Sequence, residues 1–562
     1  MNSKLLLLCL LAAFPGTAIR GQNAGGGFDT ELRFLGDDEF DSFGTAIAKL
    51  GDLDGDQVPE IAISAPYHEG IIINQGGLIY VYSGATGATL FVISGNASGD
   101  KFGTGLAPLA DQNQDGIPEL VAGTGEGFDG KLRVFSGADG AFLQEIQTPP
   151  GTQALHWALA DMGDVNGDGI SDLAVGASSA DSNGFGNNGS VMLYSGADLS
   201  LLWQHAGESQ LAYLGMSVAN VGDVNGDGAS DVLTGAIWTH PNGLQRAGSA
   251  YLYSGNNGQL IYRWDGDQPE QRFGERVGSA GDADGDGVPD CAVAAWADAQ
   301  GSGSWQGSVS VFSGASGQLI YKVYGREDFN SLGTALDTAG DVNGDGKDDL
   351  LVGSNQFNGR VHLLSGDTGY RLFSQDAEGT GETFFKLGET IVGLGDFNQD
   401  GRLNYLVSDT GTLYKGAVYL MSFRPFIEAS SETVSAATGG TIQYDLDFPA
   451  ERVYWPDLFY AILASAGGTG PTLLNGYLVP LTADGLYQQT LAGRYPGAVQ
   501  NGSGSLNGNG DAMVSVHFLP GATSPLIGRT VYLAAICYSA NLFSGDSVLQ
   551  SISVAKPLTF LP

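Results

Sequence analysis

The chain has 562 residues, of which 62 are acidic and 24 basic, for a net charge of −38, a balance that argues against nucleic acid and anionic membrane as partners. Three cysteines (Cys9, Cys291 and Cys537) exclude a disulfide-rich scaffold. Charged residues make up only 15% of the chain while 42% are apolar and 88 are Gly, which suits many short strands joined by tight turns and not disorder.

Residues 1–20 carry Lys4, an apolar run from Leu5 to Phe14, and the small residues Gly16 and Ala18 placed for cleavage, the pattern of a secretory signal peptide. The run falls short of the ~20 residues a spanning helix needs, and no later segment is long and apolar enough. The expected location is therefore secreted or cell-surface.

From 29 to 424 one unit recurs seven times, seen most plainly as GDVNGDGISDLAVGA at Gly163–Ala177. Oxygen-bearing side chains fall at positions 1, 3, 5 and 9 of a short loop: Asp52, Asp54, Asp56, Glu60; Asp111, Asn113, Asp115, Glu119; Asp164, Asn166, Asp168, Asp172; Asp223, Asn225, Asp227, Asp231; Asp282, Asp284, Asp286, Asp290; Asp341, Asn343, Asp345, Asp349; Asp396, Asn398, Asp400, Asn404. Alternate residues of a curled loop can aim oxygens at one point, and a hard divalent cation takes six to eight of them at about 2.3–2.6 Å, so each loop is a candidate Ca²⁺ site. These positions hold 22 of the 62 acids, which accounts for much of the charge. An EF-hand would bring a Glu at position 12 and a helix. Here position 12 is Val175, inside an apolar run that reads as a buried strand. Up to seven structural Ca²⁺ are expected. Loop 1, with Gln57 where Gly169 stands in loop 3, and loop 7, ending in Asn404, are expected to be the weaker ones.

Each repeat also reads as four short strands A to D, in repeat 1 over Thr45–Leu50, Ile61–Ser64, Gly77–Gly84 and Thr89–Ile93. Strand C recurs with a Ser-Gly ending, as in SVMLYSG from Ser190 and SAYLYSG from Ser249. Four strands in about 59 residues, repeated seven times, predict an all-β, seven-bladed β-propeller. Cys291 aligns with Leu173 and Val232 and is expected to be a small buried hydrophobe.

The repeat resembles the FG-GAP repeat of the integrin α-subunit amino-terminal propeller. Its first signature stands as Phe43-Gly44, Phe102-Gly103 and Phe273-Gly274, is weakened to Leu214-Gly215, Leu332-Gly333 and Leu387-Gly388, and is lost at His156-Trp157. Its second stands best as Ser64-Ala65-Pro66 and Gly176-Ala177. Because all seven loops carry the acidic pattern, the chain looks closer to stand-alone secreted FG-GAP proteins than to a receptor subunit.

Repeat 7 lacks a strand D, since Ala417–Met421 runs into Ser422-Phe423-Arg424-Pro425, while Glu31–Leu35 precedes the first signature with no blade of its own. Glu31–Leu35 is therefore expected to pair antiparallel with Ala417–Met421 and close the ring. Residues 425–562 lose the period and, from alternating stretches such as Thr441–Asp447, Met513–Leu519 and Thr530–Cys537, read as a small β-sandwich-like domain of unassigned role.

The histidines His68, His156, His205, His240, His362 and His517 show no metal-ligand spacing, and no GxSxG elbow occurs, so no catalytic set is visible. The expected function is a monomeric extracellular binding or adhesion propeller for a protein or glycan ligand, not an enzyme. The alternative is a polysaccharide lyase or hydrolase assembled across blades. A partner is expected on the face opposite the calcium loops, where long B–C connections carry Phe185, Trp238, Trp296 and Trp305.

Overall fold

A computed structural model describes residues 19–20 and 27–424, apart from the short segments 69–75, 97–98, 126–129, 153–156, 183, 300–304, 326–330, 344, 356–358, 377–385 and 412–414, together with the strands, one helix and a few turns of 425–562. Most of the expected leader, 1–18, lies outside the described residues, as does His156.

Seven antiparallel sheets follow one another along the chain. In repeat 1 the strands run over Ile47–Lys49, Ile61–Ala65, Leu78–Tyr82 and Thr89–Ser94, within a residue or two of the expected bounds. Repeat 3 shows how the pattern becomes a blade. Trp157–Asp161 pairs with Leu173–Ala177, which pairs with Ser190–Tyr194, which pairs with Leu201–Ala206. The two middle strands are buried along their whole length, whereas every residue of the outer strand is at least partly exposed.

Burial on both faces comes from stacking. Alternate residues of blade 3 join different cores: Leu173, Val175, Met192 and Tyr194 pack with blade 2, and Ala174, Val191 and Leu193 pack with blade 4. The two signatures are the contact that sets the spacing between blades. A Cβ built on Gly176 would lie 2.4 Å from the carbonyl oxygen of Gly215, and Gly215 holds a left-handed φ of 83°. One blade's second signature is thus seated on the next blade's first, and neither glycine can take a side chain there.

The ring closes as expected, and further than expected. Gly27–Leu35 lies antiparallel along Ala417–Arg424, from Gly27 opposite Arg424 to Leu35 opposite Ala417, and forms the fourth strand of blade 7. Ile19–Arg20 pairs in turn with Arg33 and Leu32. Strand C of this blade continues through Ser422 and Phe423 because, with no Ser-Gly turn, nothing stops it short of Pro425. The register slips between Thr30 and Leu32, leaving Glu31 as a bulge.

Past 424 the described residues form two larger sheets, one built on Gly440–Asp447 and Asp511–Phe518 and the other on Thr530–Ser539 and Leu458–Ser465, and a two-stranded one, Thr472–Leu474 with Tyr477–Val479. A short helix, Gly485–Leu491, also stands here; the sequence reading gave no helix. Thr433–Ser435 pairs parallel to Lys556–Leu561. One apolar cluster joins this part to the propeller, with Phe28, Phe373 and Phe423 in the same core as Ile442, Tyr444 and Val514. No helix among the described residues is long and apolar enough to cross a membrane.

Candidate metal centres

Each acidic loop is folded by its own side chains. In loop 3 the Asp164 carboxylate accepts the backbone N–H of Gly167 (2.7 Å), Asp168 (3.0 Å) and Gly169 (2.8 Å). Asn166 Oδ1 accepts from Asp168 (2.9 Å), and Asp168 Oδ1 from Ile170 (2.9 Å). Loop 4 repeats these contacts one for one through Asp223, Asn225 and Asp227. Short acidic side chains that bond two to five residues ahead curl the chain, which is the local reason for residues of this type at this spacing.

Position 9 is different, because it is buried in all seven copies: Glu60, Glu119, Asp172, Asp231, Asp290, Asp349 and Asn404 are each at most 2% exposed. Asp172 Oδ2 accepts the N–H of Val165 (3.0 Å) and Asn166 (3.2 Å), and its Oδ1 accepts from Asn166 Nδ2 (3.3 Å) and from the N–H of Gly196 (2.8 Å). Gly196 is the glycine of the Ser-Gly ending of strand C. A Cβ there would sit 1.7 Å from the Ser171 carbonyl oxygen. The recurring Ser-Gly therefore does more than turn the chain: it brings a backbone donor against the buried acid, a role that the sequence spacing alone did not reveal.

Loop 1 gathers four carboxylates, Asp52, Asp54, Asp56 and Glu60, with one oxygen from each inside 4.8 Å, and loop 5 gathers Asp282, Asp284 and Asp290 in the same way. Burial pushes Glu60 up to about 7, against a hydrogen bond from the Leu53 N–H, with Asp54, Asp56 and Asp52 adding to the rise. Burial likewise lifts Asp231 and Asp290 to about 6. Asp111, at position 1, is instead held below its ordinary value by backbone donors, that of Gly116 foremost. Glu60 Oε1 is buried with no hydrogen-bond partner. A hard cation at the mouth of the loop would satisfy that oxygen and neutralise the mutual repulsion, so the donor set fits Ca²⁺. Gln57 takes the left-handed φ of 74° that the other loops give to glycine at this position, and its N–H still reaches Asp52 Oδ2 at 3.0 Å.

The family described as FG-GAP repeat matches residues 157–194 and 332–364, and that described as FG-GAP-like repeat matches 111–175. The propeller is built of FG-GAP repeats. Integrin alpha-V of Gallus gallus is 34% identical over 229 residues, 37% of this chain and 21% of that one. Integrin alpha-5 of Xenopus laevis is 33% identical over 184 residues, 30% of this chain and 17% of that one. The chain thus spans about a fifth of the length of those relatives. Among solved structures, that of BBS1N in complex with ARL6DN aligns over 69% of this chain and 96% of that one, at 11% identity and a TM-score of 0.42.

On the other face of the FG-GAP ring the expected aromatic sector is only partly open. Trp238 packs edge-on against Tyr213 with Arg246 over its ring at 4.7 Å, and Trp296 packs against Trp305 with Arg272 over its ring at 4.8 Å. Phe185 and Trp305 are exposed. Beside Trp296 lies a cavity of about 190 Å³ lined by residues of blades 5, 6 and 7, among them Glu275, Arg276, Thr334, Asn355 and Glu389. Burial raises the Glu275 carboxyl above its ordinary range. The structure also joins His68 to Asp41, with Nδ1 2.8 Å from Oδ2 and Asp38 at 3.9 Å, a grouping that spacing in the sequence did not suggest. Cys291 is fully buried among Leu233, Val293 and Phe273, as a small hydrophobe.

Proposed function

We propose that this FG-GAP propeller is a secreted, calcium-stabilised binding protein that acts as a monomer on an extracellular protein or glycan. The observation that carries the reading is the buried position-9 side chain of every loop, above all Glu60 with its unpartnered oxygen. An acid in that place costs stability unless a cation compensates it. Calcium is structural in this reading, because in loops 2 to 6 the buried position-9 acid accepts the N–H of the strand C glycine and so ties the loop to the strands of its own blade. The partner face is the one with the long B–C connections, where Trp238, Trp296 and the neighbouring cavity lie. Glycan and protein arrays probed with the calcium-loaded chain test this, and Trp238→Ala and Trp296→Ala should each weaken any ligand found by more than tenfold.

A second reading, a polysaccharide lyase or hydrolase on the same frame, has one observation in its favour. Glu275 and Glu389 line one cavity, and burial holds Glu275 toward its protonated form, as a general acid requires. Release of reducing or unsaturated ends from a bound glycan, abolished by Glu275→Gln, would establish it. Binding without turnover supports the first reading.

A further inference from the structure

The seventh loop is the exception to its own pattern. It holds two acids, Asp396 and Asp400, where loops 1 to 6 hold three or four, and its buried position 9 is the neutral Asn404. It also lacks the glycine donor, since Ser422-Phe423 stands in place of Ser-Gly and strand C runs straight on. Into that gap comes Glu31, the bulged residue of the closing strand. Its Oε1 accepts from Asn404 Nδ2 (3.1 Å) and its Oε2 from Asn398 Nδ2 (3.0 Å).

The equivalence with the other loops is close. In loops 3, 4 and 6 the position-3 amide donates to the position-9 acid of its own loop, at 3.3, 3.3 and 3.0 Å. In loop 7 that amide donates to Glu31 instead, while Asn404 Oδ1 keeps the other half of the role by accepting the N–H of Phe397 (2.9 Å). With both NH₂ groups turned toward Glu31, the carbonyl oxygens of Asn398 and Asn404 are fixed toward the loop backbone, and Asn398 Oδ1 accepts from Asp400 N–H at 3.2 Å. The register slip is what makes this possible, because it gives Glu31 no partner residue on strand C and frees its side chain for the loop.

We propose that Glu31 is the missing acid of the seventh loop, supplied from the far end of the propeller, and that cation binding at this loop is thereby coupled to closure of the ring. Glu31 acts as a positioning residue: it orients two amide ligands and adds the negative charge that raises the loop to the count of three found in loops 2, 3, 4 and 6. Coupling is reciprocal, so the ion holds the closing strand as firmly as the strand holds the ion. The proposal rests on reading the loops as calcium sites.

The test is hydrogen exchange of the full chain, with and without Ca²⁺ at roughly 10⁻³ M, in the wild type and in Glu31→Gln. In the wild type, calcium should slow exchange about tenfold or more both in the loops at 164–172 and 223–231 and in the strand 27–35. In Glu31→Gln the loops should keep that response while the strand loses it, and equilibrium dialysis should count one ion fewer. Adding Asn404→Asp to Glu31→Gln should restore the ion, and the calcium response kept by the other loops shows that the single variant folds. If the loops of the wild type ignore calcium, the calcium reading fails. If the loops respond but the strand responds equally in both proteins, or in neither, the calcium reading survives and the role of Glu31 is overturned.

Discussion

Phe34→Ala should be among the most damaging single substitutions in the propeller, although the residue lies near one end of the described chain. Phe34 is fully buried, with its ring centroid 4.7 Å from that of Tyr82, in a core that draws Phe43, Ile63 and Tyr82 from blade 1 and Leu406 and Val418 from blade 7. Truncating a buried Phe costs about 3–5 kcal/mol, from lost transfer energy plus the cavity left behind. That is a large share of the 5–15 kcal/mol that typically separates a folded domain from its unfolded chain. The fourth strands of other blades provide the contrast: Leu260 occupies such a strand in blade 4 and is 52% exposed, so Leu260→Ala should change stability by about 0.5 kcal/mol or less. Urea denaturation followed by tryptophan fluorescence, at fixed calcium, reads both. A loss below about 1 kcal/mol for Phe34→Ala, or equal losses for the two variants, would refute the argument that this strand is an integral part of the ring.

Three further outcomes are expected. Chelating calcium should lower the thermal midpoint, since a site at a hundredfold its Kd adds about 2.7 kcal/mol to the folded state, and an unchanged midpoint would remove the metal reading. Gly196→Ala should destabilise blade 3 and weaken its loop together, because the added methyl meets the Ser171 carbonyl at 1.7 Å; a calorimetric titration that still counts every ion at unchanged affinity would contradict this. His68 is held above its ordinary value first of all by the hydrogen bond with Asp41, against the effect of burial. A raised folded value means that the stabilisation is present in full below about pH 6.5, the unfolded value, and fades as pH rises through the folded one. Relative to the wild type, His68→Asn should therefore lose stability at pH 6 by about 1 kcal/mol or less and show little loss at pH 9; a pH-independent difference would count against it.

The ring was legible because its repeat is written twice over, once in the acidic loops and once in the apolar strands, and each repeat checks the others. Counting strands also located the closing segment, since Glu31–Leu35 had strand character and no blade, while Ala417–Met421 had a blade and no partner. What stayed hidden was everything that depends on one backbone meeting another across space. The contact of Gly196 with Ser171 and Asp172, the seat of Gly215 on Gly176, and the register slip at Glu31 involve residues that the sequence shows only as turns or strand ends. How the aromatic sector packs stayed hidden for a related reason. Trp238 and Trp296 stand in long connections, which suggests exposure, but Arg246 and Arg272 cover one face of each ring, and only their coordinates reveal it.

The meeting of Gly27–Leu35 with Ala417–Arg424 also constrains how the protein is made. The ribosome releases the first of these strands before any blade exists and the second only after six blades have emerged, so the closing strand must wait, unpaired, for nearly the whole propeller to be synthesised. Joining ends separated by several hundred residues costs about 5 kcal/mol of chain entropy, on a scale that grows only with the logarithm of length. The greater hazard during the wait is the open edge of the newest blade, which can pair with another chain as readily as with its own. A chain truncated before Ala417 would accordingly be left not with six good blades but with a ring that has no way to close, and it should accumulate as aggregate, not as a shorter propeller.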